Sequence, residues 1–192
     1  MNKAINNTVF DSFPVLESER LIFRSFKQTD AEMLFKIRSD AEVLKYMDTE
    51  GHQSINDALT MIAAIHQSFE EKNGINWVIE EKETGQMIGY IGFWRMMKEH
   101  VRAEIGYALF PEFWGKGFMT ESIKNTLAFG FNDLHLHSVE ANINPKNESS
   151  KIVLEKMGFK KEAHFRENYY FDGRFYDSII YSLLETDFSL NA

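Results

Sequence analysis

The sequence contains no cysteine and only three prolines among its 192 residues. The absence of cysteine excludes disulfides, thiolate metal ligands and a cysteine nucleophile. The chain has no low-complexity tract that would mark a linker between two domains. A chain of this length can bury roughly 70% of its unfolded surface in one core. We therefore expect a single domain over residues 1–192, with its core at about 19–184.

Two further absences concern the partners of the protein. The chain has no run of basic residues and a net charge of −8, whereas a nucleic-acid surface needs clustered lysine and arginine. No apolar segment approaches the ~18 residues of a membrane span, and the first residues lack the apolar core of a signal peptide. We therefore expect no nucleic-acid or membrane partner and a cytoplasmic location. The acidic charge attracts cations, but it is also ordinary for a soluble protein.

The spacing of apolar residues predicts a mixed α/β order. A strand is predicted at 19–26, a hairpin at 76–96, and further strands at 102–110, 138–143, 165–171 and 175–184. Helices are predicted after Thr29 and at 41–47, 54–73, 120–134 and 147–157. Thr29 and Glu32 have the spacing of a capping box at the start of the first helix.

A pair of glycines lies between the strand at 102–110 and the helix that follows it. Gly115 and Gly117 are separated by one residue. At such a turn, unpaired backbone N–H groups and the positive end of the helix dipole point together at an anion, and a pyrophosphate fits this arrangement. The G-x-G-x-x-G fingerprint would need a third glycine at Thr120, and the P-loop ending is also absent. The alternative is a turn that binds nothing.

Four segments carry a resemblance to a known family. They are, in chain order, "ERLIFRSF", "IGYIGF", "AEIGYALFPEFWGKGFMTES" and "NPKNESSKIVLEKMGF". On these segments the chain resembles the GCN5-related N-acetyltransferases (GNAT), in the RimJ/RimL-like branch of ribosomal-protein N-terminal acetyltransferases. The resemblance implies a central, mostly antiparallel, splayed sheet of about seven strands flanked by helices. It also implies acetyl-CoA as co-substrate, no metal, and homodimers, which are common in this branch.

The resemblance also implies the residues that bind acetyl-CoA. The family's pyrophosphate loop opens with arginine or glutamine, where this chain has Trp114, and its sixth position is small, where this chain has Met119. Asn147 is expected to hold the pantetheine backbone. The implied acetyl-CoA contacts are Leu109, Trp114, Gly115, Lys116, Gly117, Phe118, Met119, Thr120 and Asn147.

Two residues are candidates for catalysis. Glu104 matches the general-base glutamate of the family's histone acetyltransferases and is expected to act through a water. The alternative is a strand glutamate that faces solvent or pairs with Arg102. Ser150 matches the Asn-x-x-Ser of RimL-type enzymes and is the candidate acid, although serine and asparagine are also ordinary residues at helix starts. Leu154 stands where related enzymes have a catalytic tyrosine.

The preferred acceptor is the N-terminal α-amine of a protein. An α-amine with a pKa near 8 is partly neutral at pH 7, so it needs less help from a base than a lysine amine does. The alternatives are a small amine (a polyamine, an aminoglycoside or an amino-acid-like metabolite) and a non-catalytic acyl-CoA-binding module. The acceptor loops are expected at 46–56 and 164–177, with Tyr169, Tyr170 and Tyr176 as candidate lining residues. His135 and His137 lack a third metal ligand, so no metal site is predicted.

Overall fold

A computed structural model describes residues 4–47 and 49–188 of the chain. The strands are β1 (Leu16–Glu17), β2 (Leu21–Arg24), β3 (Ile75–Glu81), β4 (Met87–Met97), β5 (Arg102–Leu109), β6 (Ser138–Ile143), β7 (Lys160–Phe171) and β8 (Arg174–Leu184). The helices are α1 (Ala31–Ser39), α2 (Ala41–Leu44), α3 (Ile55–Glu70), α4 (Phe118–Asn132) and α5 (Glu148–Lys156).

The strands form one eight-stranded sheet in the order β1-β2-β3-β4-β5-β6-β8-β7. Each neighbouring pair is antiparallel except β5 and β6, which are parallel. The predicted mixed α/β class and the mostly antiparallel sheet are therefore confirmed. The additional strand is the two-residue β1, which pairs with β2 before the expected start of the core.

The sheet has an apolar layer on each face. On β3, Trp77 and Ile79 belong to the cluster that contains buried residues of α4 and α5, and Val78 belongs to the cluster that contains α1 and α3. This division follows from the alternation of side chains along a strand. The first cluster also includes Ile5 and Phe10, so packing extends before residue 19. Within residues 4–47 and 49–188, no helix is long and apolar enough to cross a membrane.

The start of α1 differs from the sequence prediction. Thr29 does not cap the helix, because a single helical turn from Gln28 to Asp30 precedes α1. The Asp30 carboxylate accepts a hydrogen bond from the Lys27 backbone N–H at 2.7 Å and pairs with Arg24 at 2.8 Å. The predicted capping box is therefore wrong, because Asp30 satisfies this helix start instead.

Candidate active site

The candidate site lies where β5 and β6 separate. The two strands pair over only three residue pairs, from Arg102 with Ser138 to Glu104 with Glu140. Beyond Glu104, β5 stays beside β4 and β6 stays beside β8. A cavity of about 610 Å³ opens between the diverging strands, which confirms the splayed sheet.

The cavity reaches both faces of the sheet. Successive side chains on a strand point to opposite faces, so Glu104 and Gly106 lie on one face of β5, and Ile105 and Tyr107 lie on the other. All four line the cavity. Two molecules that enter from opposite faces can therefore meet inside it.

Glu104 lies on the face that packs against α1 and α3, and only 6% of it is exposed. Its carboxylate pairs with Arg95 at 2.8 Å and accepts a hydrogen bond from the Trp94 side chain. Burial raises the pKa of Glu104; Arg95 opposes this increase, and the neighbouring Glu140 carboxylate adds to it. A carboxylate with a raised pKa is a better proton acceptor near neutral pH. Arg102, the alternative partner, instead binds Glu140 at 2.7 Å.

A β-bulge explains why Arg95 reaches Glu104. Phe93 lies opposite Ile105, but the next pair is Arg95 with Glu104, so β4 contains one extra residue, Trp94. A bulge of this kind redirects side chains at a strand edge. Here it places both an indole and a guanidinium against one carboxylate.

Tyr107 lies on the opposite face and contacts Ser150. The two hydroxyl oxygens are 2.6 Å apart, and either can donate the hydrogen bond. One side of Tyr107 borders the cavity, but its hydroxyl is buried. Burial raises the pKa of Tyr107 to about 12, and the hydrogen bond with Ser150 opposes this increase to a smaller extent. The phenol therefore remains protonated at neutral pH. Tyr107 was not predicted from the sequence, because strand alternation does not reveal that α5 packs against this position.

The start of α5 brings Asn147 and Ser150 to the cavity. The Asn147 side-chain oxygen accepts hydrogen bonds from the Ser150 backbone N–H at 3.1 Å and from the Ser149 hydroxyl at 2.9 Å. Asn147 is therefore the N-cap of α5. Leu154, one helical turn after Ser150, is completely buried in the core.

The glycine turn follows β5 outside the cavity. Gly115 and Gly117 have φ of 71° and 82°, a left-handed conformation that side chains disfavour. A Cβ on Gly115 would have no neighbour within 4 Å, so backbone conformation rather than crowding accounts for this glycine. Gly117 is the N-cap of α4, and as a glycine it has no side chain that could accept hydrogen bonds from the first N–H groups of the helix. The helix start therefore keeps the open geometry that suits an anion.

Arg20, which directly precedes β2, contacts the glycine turn and the start of α4. Its guanidinium donates to the Lys116 carbonyl at 3.1 Å, pairs with Glu121 at 2.7 Å, and lies 4.2 Å from the centre of the Phe118 ring. Arg20 was not predicted from the sequence, because its contacts join positions about a hundred residues apart. Arg20 thus fixes the turn against the first turn of α4.

The expected acetyl-CoA residues differ in exposure. The Leu109 carbonyl accepts a hydrogen bond from the Trp114 indole at 2.8 Å. Gly115, Lys116 and Gly117 are exposed, Met119 and Thr120 are half-buried, and Leu109 and Phe118 are buried in the core. The described cavity lining includes Glu104, Asn147 and Ser150 but none of the residues from Leu109 to Thr120.

The last two strands supply one side of the cavity. Tyr169 lines it and stacks on Tyr176, whereas Tyr170 is 63% exposed and packs beside Phe175. The hydroxyl of Tyr169 is buried and has no hydrogen-bond partner among the described residues. Of the three candidate acceptor tyrosines, Tyr169 is the one whose side chain borders the cavity.

The two histidines considered as metal ligands precede β6. His135 and His137 are exposed and lie in the connection after α4, not on a strand. The described residues contain no cluster of histidine, aspartate and glutamate that could hold a metal ion.

The sequence and the fold are similar to those of known proteins. The family described as "Acetyltransferase (GNAT) domain" matches residues 20–160. An uncharacterized N-acetyltransferase of Bacillus subtilis, YoaA, is 41% identical over 90% of this chain and 98% of its own length. The spermidine N(1)-acetyltransferase of Vibrio cholerae is 24% identical over 83% of this chain and 90% of its own length.

Solved structures with the same fold include two acetyltransferases. A GNAT-family acetyltransferase from Bacillus anthracis has a TM-score of 0.80 at 28% identity, with 90% of this chain and 99% of that chain covered. The ribosomal L7/L12 acetyltransferase RimL, in complex with coenzyme A, has a TM-score of 0.81 at 17% identity, with 89% and 98% covered. At that identity the likeness to RimL concerns the fold alone.

Proposed function

The chain belongs to the GNAT acetyltransferase family and is an acetyl-CoA-dependent N-acetyltransferase, and on this premise we propose that it acetylates an α-amine, foremost the N-terminus of a protein or peptide. The observation that carries this proposal is that the carboxylates of the cavity already have partners. The described lining of the cavity contains two carboxylates, Glu104 and Asp177. Glu104 pairs with Arg95, and Asp177 accepts a hydrogen bond from His164 at 2.7 Å.

This arrangement suits one amine better than a polycation. A polyamine or an aminoglycoside carries several positive charges. Each charge that enters the cavity loses its hydration, and a carboxylate must offset that free-energy cost. Both described carboxylates of the cavity already have partners. A single α-amine needs only a proton acceptor, because part of it is already neutral at pH 7.

Glu104 is proposed as the base. The amine nitrogen attacks the thioester carbon, the N–C bond forms, and the surplus proton on nitrogen passes to the Glu104 carboxylate, directly or through a water. Burial supports this role, because it raises the pKa of Glu104 toward the working pH.

Tyr107 is proposed to stabilise the leaving sulfur. As the C–S bond breaks, negative charge develops on sulfur. The pKa of Tyr107, raised to about 12, is far above the roughly 8.5 of an ordinary thiol, so complete transfer of its proton is unfavourable. A hydrogen bond from the phenol to the sulfur is the favourable interaction. Ser150, 2.6 Å from the phenol oxygen, is proposed to orient it, which modifies the expectation that Ser150 itself is the acid.

The glycine turn is proposed to bind the pyrophosphate of acetyl-CoA. The support is the exposed segment Gly115–Gly117, the N-terminus of α4 behind it, and the brace from Arg20. Backbone N–H groups at a helix start are favourable partners for a multiply charged phosphate. Asn147 and the cavity between β5 and β6 are proposed to hold the pantetheine arm.

The test is release of coenzyme A from acetyl-CoA with a panel of acceptors. The panel contains peptides that begin with Ser, Ala or Met, together with spermidine, an aminoglycoside and free amino acids. We expect turnover with one or more peptides. Turnover with spermidine alone would contradict the α-amine proposal and move the protein to the small-amine alternative.

A further experiment distinguishes catalysis from binding of acetyl-CoA alone. Wild type and a Glu104→Gln variant are compared for acetyl-CoA affinity by calorimetry and for turnover. Equal affinity with lower turnover supports catalysis by Glu104. Binding of acetyl-CoA without turnover of any acceptor would support the non-catalytic acyl-CoA-binding module.

A further inference from the structure

Arg38 of α1 lines the cavity, and its hydrogen-bond partners among residues 4–47 and 49–188 are neutral. One terminal nitrogen donates hydrogen bonds to the Tyr90 hydroxyl at 3.2 Å and to the Met47 sulfur at 3.3 Å. Its Nε is buried without a partner, and no carboxylate among the described residues forms an ion pair with it. A guanidinium partly withdrawn from water is costly unless an anion compensates its charge.

The neighbouring loop fixes Arg38 in place. The His52 backbone N–H donates to the Arg38 carbonyl at 2.8 Å. Gly51 has a φ of 71°, and a Cβ there would lie 2.6 Å from the same carbonyl. The contact therefore needs a glycine, and the loop at 49–53 packs directly on the backbone of Arg38.

The charged groups near Arg38 within the described part of the chain do not form an ion pair with it. Burial and the positive charge of Arg38 lower the pKa of His52 against a smaller opposing effect of Asp57, so this imidazole is neutral near pH 7. The Asp57 carboxylate itself accepts hydrogen bonds from the Gln53 and Ser54 backbone N–H groups. The carboxylates of Glu104 and Asp177 are bound to Arg95 and His164. Arg38 is thus the one cationic residue in the described lining of the cavity.

The separation between Arg38 and Glu104 follows from β4. Tyr90, which binds Arg38, and Trp94, which binds Glu104, are four residues apart on this strand. Because these two partners are not neighbours on β4, Arg38 and Glu104 are held at different points along the strand. We therefore expect the carboxylate that reaches Arg38 to be several bonds away from the amine that reaches Glu104.

We propose that Arg38 is an acceptor-binding residue that pairs with a carboxylate of the substrate, so that this enzyme prefers amines whose carboxylate lies several bonds from the nitrogen. Within the proposed function, on which this inference rests, the substrate class is a peptide N-terminus with an acidic residue at the second or third position. Arg38 acts in substrate binding and takes no part in proton transfer.

The test compares acidic acceptors with their amides in three proteins. The acceptors are peptide amides that begin Ser-Asp or Ser-Asn, and Ser-Ala-Asp or Ser-Ala-Asn, together with free glutamate and glutamine. The proteins are wild type, Arg38→Met and Lys36→Met. Lys36 is exposed on the same helix, so its removal changes the net charge equally without touching the cavity.

We expect wild type and Lys36→Met to prefer an acidic acceptor. In Arg38→Met, the KM for that acceptor should rise by about tenfold to a hundredfold, the range of a charge-assisted hydrogen bond, with kcat nearly unchanged. The KM for the matched amide should change little. Arg38→Lys should restore part of the preference, because lysine keeps the positive charge but not the planar guanidinium.

The outcomes separate this inference from the proposed function. Peptide turnover with equal use of acid and amide, or an equal loss for both in Arg38→Met, overturns the role of Arg38 and leaves the α-amine function standing. Turnover of glutamate over glutamine without any peptide turnover contradicts the peptide acceptor and supports Arg38. If no acceptor turns over, calorimetry can still test the role of Arg38. It measures the affinity of the protein, with coenzyme A bound, for the acetylated Ser-Asp and Ser-Asn peptides. Tighter binding of the Ser-Asp peptide supports the proposal, and equal affinities overturn it.

Discussion

Glu104 and Tyr107 lie on the same strand but on opposite faces of the sheet, and burial has opposite consequences for them. Burial raises the pKa of both groups. For Glu104 the increase moves the pKa toward neutrality, which makes the carboxylate a better proton acceptor. For Tyr107 the increase moves the pKa away from neutrality, which keeps the phenol protonated. One physical effect therefore suits Glu104 to the proposed role of base on one face and Tyr107 to the proposed role of hydrogen-bond donor on the other.

The partners of the two side chains strengthen this contrast. Glu104 has a cationic partner, Arg95, which keeps part of its charged form stable inside the protein. The hydroxyl of Tyr107 pairs with the neutral hydroxyl of Ser150. The proposed amine side of the cavity therefore contains charges, and the proposed sulfur side contains hydroxyl groups.

The largest expected effect comes from removing the proposed base, Glu104. In Glu104→Gln the amide cannot accept a proton, so we expect kcat to fall by about 10²–10⁴-fold, the usual contribution of general acid–base catalysis. The acidic limb of the pH profile should also disappear. Steady-state release of coenzyme A between pH 5.5 and 9 measures both quantities.

Removal of the phenol hydroxyl should have a smaller effect. In Tyr107→Phe we expect kcat to fall by about 10- to 100-fold, because one charge-assisted hydrogen bond to the sulfur is lost. The pH profile should keep the shape of the wild type, in contrast to Glu104→Gln. Pre-steady-state kinetics will show whether the acetyl-transfer step itself is slowed. An unchanged transfer rate would show that the sulfur does not depend on Tyr107.

A third prediction concerns Ser150. In Ser150→Ala we expect kcat to fall by about tenfold or less, because the phenol remains but loses the hydrogen bond that orients it. The double variant with Tyr107→Phe should be no slower than Tyr107→Phe alone, since Ser150 acts through the phenol. If the two losses instead multiply, Ser150 acts on the substrate directly, as the resemblance to RimL-type enzymes implies.

The sequence predicted those parts of the site that depend on local patterns. Strand alternation and the family resemblance together located Glu104, and the glycine spacing located a turn with left-handed φ at Gly115 and Gly117. The pairing of Tyr107 with Ser150 was not predictable in this way, because it requires α5 to pack over β5. Arg95 was missed because the bulge at Trp94 shifts the register by one residue. Arg38 was missed because its position depends on how α1 and the loop at 49–53 pack over β4.

The smallest expected effect concerns Arg95, the charged partner of Glu104. Arg95 lowers the pKa of Glu104, so Arg95→Met should raise it. Because the base must be ionised to act, the acidic limb of kcat/KM should move to higher pH, and activity should fall more at pH 6 than at pH 8. The Arg95 side chain is 53% exposed and therefore screened by solvent, so activity at pH 8 should stay within about twofold of wild type.

Arg102→Met is the matched control for Arg95→Met. It removes the same charge from the pair with Glu140, at 2.7 Å, without breaking the ion pair of Glu104. Its effect on the acidic limb should be smaller, because it reaches Glu104 only through Glu140. Equal displacement by both variants would mean that net charge, not the contact with Arg95, sets the pKa of Glu104. If the acidic limb of kcat/KM moves to lower pH in Arg95→Met, another group is the base. The contrast between the two faces of β5 would then describe the structure but not the catalysis.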